Sequence, residues 1–115
     1  MEELDSISPM PHGRNVPRMK VEGEASILSV LTKDSVEGTL VDLSRKGVRL
    51  TADQHFQRDQ KLSLRLRLSG DRPPIDILLA VVKWVRGNNI GVEFIDLEAE
   101  DQASLQAFLS SWSRP

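Results

Sequence analysis

The sequence predicts a mainly β protein: about six short strands arranged as a sandwich or barrel, followed by one C-terminal α-helix. Three observations carry that prediction. Short apolar runs separated by turn residues recur from Met19 to Ile95, and one run, Leu62, Leu64, Leu66 and Leu68, alternates strictly with Ser63, Arg65 and Arg67. Only the end of the chain repeats its apolar residues at helical spacing. A length of 115 residues allows one hydrophobic core and leaves little room for a second.

Taken in order, residues 1–13 end in Ser8-Pro9-Met10-Pro11-His12-Gly13, show no apolar period and read as a flexible N-terminal tail. The domain is expected over residues 14–115, with Pro17 stiffening the backbone between Arg14 and Arg18. The first strand is expected within Val21 to Leu31, closed by the turn signal Lys33-Asp34-Ser35. Val36 to Leu43 and Val48 to Thr51 supply the second and third, and the alternating leucines the fourth. Gly70-Asp71-Arg72-Pro73-Pro74 ends it. Ile75 to Val85 is the fifth strand, and Gly87-Asn88-Asn89 a hairpin connection into Ile90 to Ile95. Leu105, Phe108, Leu109 and Trp112 then fall on one face of a helix. Asp96 is a candidate cap, and Glu98, Glu100 and Asp101 suit the positive end of its dipole. Such a helix is expected to cover an open end or edge of the sheet; docking a partner with the same face is the alternative.

Composition removes several classes of function. With no cysteine there are no disulfides, thiolate nucleophiles or cysteine metal sites, which suits a reducing cytoplasm. No apolar run approaches the roughly 20 residues that span a bilayer, and the acidic first thirteen residues do not resemble a signal peptide. A cytoplasmic protein without membrane insertion is expected. A net charge of −2, 4% aromatic residues and no tyrosine argue against nucleic-acid binding. Charge is nonetheless unevenly placed: Arg14, Arg18, Lys20, Arg45, Lys46 and Arg49 fall in two short stretches, while Glu93, Asp96, Glu98, Glu100 and Asp101 make an acidic one.

Catalytic machinery is not evident. His12 lies in the tail and His55 beside Phe56, neither with a base, nucleophile or metal-ligand companion at a recognisable spacing. No glycine-rich phosphate loop and no identifiable carboxylate pair is present, so the expectation is a binding protein with no catalytic residues, metal or cofactor.

Two constellations remain. Arg14-Asn15-Val16-Pro17-Arg18 places two arginines four apart, and Asp42-Leu43-Ser44-Arg45-Lys46-Gly47 joins the second and third strands. With 10 arginines the first pattern should arise about once by chance. An Asp/Asn-x-Ser-x-x-Gly match should arise only roughly 0.08 times. Together they suit a guanine nucleotide. An arginine fork can reach guanine O6 and N7 or stack on a base. Asp42 can accept from guanine N1–H and the exocyclic amine, which adenine cannot offer together. Ser44 can bond a phosphate or a base edge, and Gly47 is expected to supply positive φ and close backbone approach. Arg45, Lys46 and Arg49 either draw in phosphates or stand exposed. Trp84 is core, barrel surface or a stacking partner.

At these residues the chain resembles the PilZ domain family, whose signature is Arg-x-x-x-Arg followed by Asp/Asn-x-Ser-x-x-Gly. Arg14, Arg18, Asp42, Ser44 and Gly47 match every fixed position, with 23 residues between Arg18 and Asp42. Gly38 to Ser44, Val81 to Trp84 and Gly91 to Phe94 also look like family strands, so the likeness runs over residues 14–112. Lys46 stands where the family often has a second glycine. The resemblance implies a six-stranded antiparallel β-barrel with a C-terminal helix that binds cyclic di-GMP. Arg14, Arg18, Asp42, Ser44 and Gly47 would be the ligand-binding residues, with Arg45, Lys46 and Trp84 as further candidates. The Arg14/Arg18 segment would order over the ligand and signal through an unidentified protein partner. A PilZ-fold interaction module acting without the ligand is the alternative. Gly13, neither bulky nor charged, leaves open whether one ligand or a stacked pair binds, and the sequence leaves open monomer or dimer.

Overall fold

The structure, a computed structural model, describes residues 18–112. The expected tail over residues 1–13 and Arg14 lie outside the described residues. Seven strands and a helix follow in order: β1 Met19–Lys20, β2 Gly23–Ser29, β3 Ser35–Leu43, β4 Gly47–Ala52, β5 Lys61–Leu68, β6 Ile75–Arg86, β7 Asn89–Asp96 and α1 Ala99–Trp112.

Strands β2 to β7 run in the order β3-β2-β5-β6-β7-β4, and β4 pairs back onto β3. That last pairing closes a six-stranded antiparallel barrel, the predicted class, and leaves it without a free edge. β1 is a seventh strand outside the closure, laid antiparallel on β3 with Met19 opposite Leu43 and Lys20 opposite Asp42.

Period-2 patterning decides what enters the barrel. Leu62, Leu64, Leu66 and Leu68 of β5 are buried, as the alternation predicts, and meet Ala25 and Ile27 of β2, Ile75, Ile77, Ala80 and Val82 of β6, and Ile90, Val92 and Phe94 of β7. The residues between them face out and pair across strands. Arg65 donates through Nε and Nη2 to the two carboxylate oxygens of Asp76 at 2.7 and 3.1 Å. Arg67 donates to Ser26 Oγ at 2.6 Å and pairs with Glu37, whose carboxyl also accepts from Ser26. The Ser26 and Arg67 hydrogen bonds hold the Glu37 carboxyl below its ordinary value, and the Asp76 bond holds the Arg65 guanidinium above its own.

Two expected boundaries move. β2 ends at Ser29 rather than Leu31, because Lys33, at φ 69°, starts the turn early and leaves Leu31 88% exposed. Asp96 does not cap the helix: it ends β7, and α1 begins only at Ala99, where the Glu98 carbonyl accepts the Gln102 N–H at 2.9 Å. Asp101 in the first turn instead accepts the backbone N–H of Asp76 at 2.9 Å, fastening the helix to the start of β6. Leu105 and Phe108 join the core, Leu109 packs against it, and the Arg72 guanidinium lies 4.7 Å from the Phe108 ring centre. The helix therefore covers the barrel with its apolar face.

Candidate ligand-binding site

One transverse row crosses the outer face of the barrel. The register sets Lys20 of β1 opposite Asp42 of β3, Asp42 opposite Arg49 of β4, Arg49 opposite Gly91 of β7, and Gly91 opposite Trp84 of β6. At about 4.8 Å per strand, Asp42 and Trp84 stand about 14 Å apart along it.

Strict alternation would not put Asp42 there. Leu40 is buried, so Val41 faces out and Asp42 would turn into the core. A β-bulge between Leu40 and Asp42 inserts Val41 as an extra residue, keeps Leu43 in the core and turns Asp42 out toward Arg49. The same device recurs on β6, where a bulge between Val82 and Trp84 turns Trp84 out beside Gly91. A Cβ on Gly91 would stand 2.1 Å from Trp84 Nε1 and 2.3 Å from Cε2, so the indole lies flat on the strand where β7 carries no side chain. That makes a half-buried aromatic platform reaching from β6 over β7, toward the side on which β4 carries Arg49.

Asp42 is buried, and both its oxygens are engaged. Arg18 approaches Oδ1 through Nε at 3.0 Å and Nη2 at 2.9 Å, and Arg49 approaches Oδ2 through Nη2 at 2.8 Å. Arg18 is exposed at the start of β1, whereas Arg49 sits within β4, bonded on both sides. Arg49 Nε is buried with no hydrogen-bond partner among the described residues, a cost of about 1–3 kcal/mol for an unsatisfied donor.

The β3–β4 turn is organised by Ser44. Its Oγ accepts the N–H groups of Lys46 and Gly47 at 3.1 Å each and donates to the Gly47 carbonyl at 3.3 Å, which also accepts the Ser44 N–H at 2.9 Å. The hydroxyl is thus fully used inside the turn. The Lys46 carbonyl accepts the Phe94 N–H at 2.8 Å, tying the turn to β7, and Arg45 and Lys46 are exposed. Gly47 is needed for closeness alone: a Cβ there would lie 2.3 Å from the Val92 carbonyl oxygen. The positive φ expected of Gly47 is not adopted, because Ser44 closes the turn without a left-handed residue.

The structure thus brings Arg18, Asp42, Ser44, Gly47, Arg45 and Lys46 together and places Trp84 at the far end of the row; Arg14 lies outside the described residues. Sequence reasoning gave Arg49 only a general attraction for phosphate and gave Gly91 no part in the site. Alternation along β4 could have paired Arg49 with Asp42, but only once the bulge at Val41 is known. Among the described residues no group of three or more histidines, cysteines or acids could hold a metal ion, and no helix is long and apolar enough to cross a membrane.

The class is a small closed β-barrel whose outer face carries a buried carboxylate with two arginines upon it and an exposed turn bearing Arg45 and Lys46. The PilZ domain family model matches residues 13–111, and the chain belongs to that family. No curated protein matches it. Among solved structures it is similar to the Bacillus subtilis inhibitor of motility MotI/DgrA, with 20% identity and a TM-score of 0.69 over 89% of this chain and 53% of that one. It is also similar to the PilZ domain of Escherichia coli YcgR with c-di-GMP, at 13% identity and a TM-score of 0.67 over 85% of this chain and 89% of that one. A third is the K. pneumonia MrkH–c-di-GMP complex, at 19% identity and a TM-score of 0.71 over 86% of this chain and 52% of that one. The chain spans about half the length of MotI and MrkH. These likenesses concern the fold.

Proposed function

We propose that this PilZ domain is a cyclic di-GMP receptor that acts by binding rather than by catalysis, and that it signals through a protein partner. The observation that carries the reading is the Arg18–Asp42 pair: the two halves of the sequence signature meet at 2.9 Å. Asp42 offers an acceptor pair matched to the N1–H and exocyclic amine of guanine. Arg18, with Arg14, supplies forked donors for O6, N7 or a phosphate. Arg45 and Lys46 are exposed on a turn fixed by Ser44, close in sequence to Asp42, and suit the phosphodiesters. Ser44 and Gly47 serve by holding that turn, and Trp84 offers a face for the second base. Neighbours of the same fold carry c-di-GMP in YcgR and MrkH, which supports the ligand class. No resident cofactor is needed. A cytoplasmic location suits a ligand made inside bacteria.

Calorimetric titration of cyclic di-GMP, with cyclic di-AMP and GMP as controls, tests this. Saturable binding selective for the guanine dinucleotide, and lost in Arg18→Ala, is the expected result. No heat at high micromolar ligand would leave a PilZ-fold interaction module without this ligand, and the search would turn to its protein partners.

A further inference from the structure

Asp42 cannot receive a guanine edge in the arrangement described. Reading N1–H and the exocyclic amine together takes an open lone pair on each carboxylate oxygen. Oδ1 already accepts a hydrogen bond from Arg18 Nε at 3.0 Å and is ion-paired with Arg18 Nη2 at 2.9 Å, while Oδ2 is ion-paired with Arg49 Nη2 at 2.8 Å. Two nitrogens of Arg18 crowd Oδ1, whereas Oδ2 meets one nitrogen of Arg49. One cation must leave Oδ1 before the base edge can dock.

The two arginines are not equally free to leave. Arg18 is exposed and precedes a two-residue strand with one neighbour, β3. Arg49 lies within β4, hydrogen-bonded by β3 on one side and β7 on the other, and its Nε is buried. That buried, unpartnered donor is poorly placed to stabilise the fold for its own sake, while the Nη2 on the same guanidinium meets Asp42. If both cations left, a buried carboxylate would face the ligand without a counter-charge, a costly state in a low dielectric.

We infer that Arg49 is the specificity-determining positioning residue of this site: a fixed counter-ion that keeps Asp42 paired and aimed at the guanine edge while Arg18 transfers from the carboxylate to the ligand. The inference rests on the cyclic di-GMP reading and adds a division of labour between the arginines. Arg18 is the exchangeable partner. Arg49 stays with Oδ2, and through it the protein distinguishes guanine from bases that lack the exocyclic amine.

The test compares cyclic di-GMP with cyclic di-IMP, which lacks that amine, on the wild type, Arg49→Met and Arg49→Lys. Methionine keeps an apolar stem and removes the donor. Arg49→Met is expected to weaken cyclic di-GMP about tenfold or more and cyclic di-IMP far less, so that discrimination collapses. Arg49→Lys is expected to restore most of it, since Arg49 reaches Asp42 through a single nitrogen. Arg18→Lys is expected not to rescue, because Arg18 uses two. A thermal melt of each ligand-free variant checks that the barrel is intact. Arg49→Met binding both ligands as the wild type does would overturn the inference and leave the receptor reading standing. Equal losses for both ligands, unrelieved by lysine, would reduce Arg49 to one charge among several and overturn it too. A wild type that binds neither ligand removes the receptor reading itself, and the inference with it.

Discussion

At the scale of single residues, close approach decides more than conformational freedom. The site depends on two glycines whose missing side chains are used differently. At Gly47 a Cβ would meet the Val92 carbonyl oxygen at 2.3 Å, and a backbone atom in a closed barrel cannot step aside. Gly47→Ala is therefore expected to destabilise the domain by about 1–3 kcal/mol, read as a lower midpoint in chemical denaturation. At Gly91 the obstructing atoms belong to the Trp84 side chain, which can move. Gly91→Ala is expected to cost less stability and to lift the indole off the strand. In a Trp112→Phe background, which leaves Trp84 as the one tryptophan, its emission should shift to longer wavelength. An unmoved spectrum would mean the ring does not depend on Gly91. Arg18→Ala should abolish most cyclic di-GMP binding in calorimetry yet leave the ligand-free melting temperature within a few degrees, because Arg18 is exposed and Arg49 remains on Asp42 as its counter-charge.

At the scale of elements, the charged outer face of β2, β3 and β5 should respond to acid. Ser26 and Arg67 favour the ionised form of Glu37, so its folded value lies below the 4.5 of a free side chain. A depressed carboxyl contributes stability above its unfolded value and loses it as pH falls through the folded one. Glu37→Gln should therefore melt lower than the wild type at pH 7, and the gap should narrow below about pH 4.5 and close as pH falls through the folded value. The group is fully exposed, so the gap should be small and shrink further in high salt. Strands were also the part of the fold most legible in the sequence. The leucines of β5 announce their burial by alternation alone, and the six-stranded barrel follows from the family resemblance. Neither bulge could be placed: strict alternation in Leu40-Val41-Asp42-Leu43 would turn Asp42 into the core, and only pairing with β4 shows that Val41 is the extra residue. The Asp42–Arg49 and Trp84–Gly91 partnerships stayed hidden for that reason. They are long-range register facts, whereas turn residues and periodicity are local ones. The misplaced helix start has a local cause. Asp96 is a favourable cap by type, but β7 continues to pair with Leu79 through that residue.

For the molecule as a whole, the helix and the site occupy different parts of one barrel, and this separates stability from recognition. α1 packs on β6 and is tied at Asp76, near the strand's start, while Trp84 lies eight residues further along. At about 3.3 Å per residue that is about 26 Å. Leu105 is 2% exposed inside the shared core, so Leu105→Ala should leave a cavity and cost about 2–5 kcal/mol. The affinity for cyclic di-GMP should nevertheless stay within about twofold at a temperature where the variant is folded, because the site row lies on the outer face, far along β6 from the helix's tie at Asp76. Ligand should in turn rescue the variant. A ligand that binds only the folded state adds about 2.7 kcal/mol at a hundredfold excess over Kd. In a domain of this size each kcal/mol moves the melting temperature by about 4 °C or more, so saturation should raise it by about 10 °C in both proteins and not at all in Arg18→Ala. A Leu105→Ala protein that is folded but binds weakly would show that the helix reaches the site through the core. The helix, with its acidic first turn, would then belong to the receptor mechanism rather than to its scaffold.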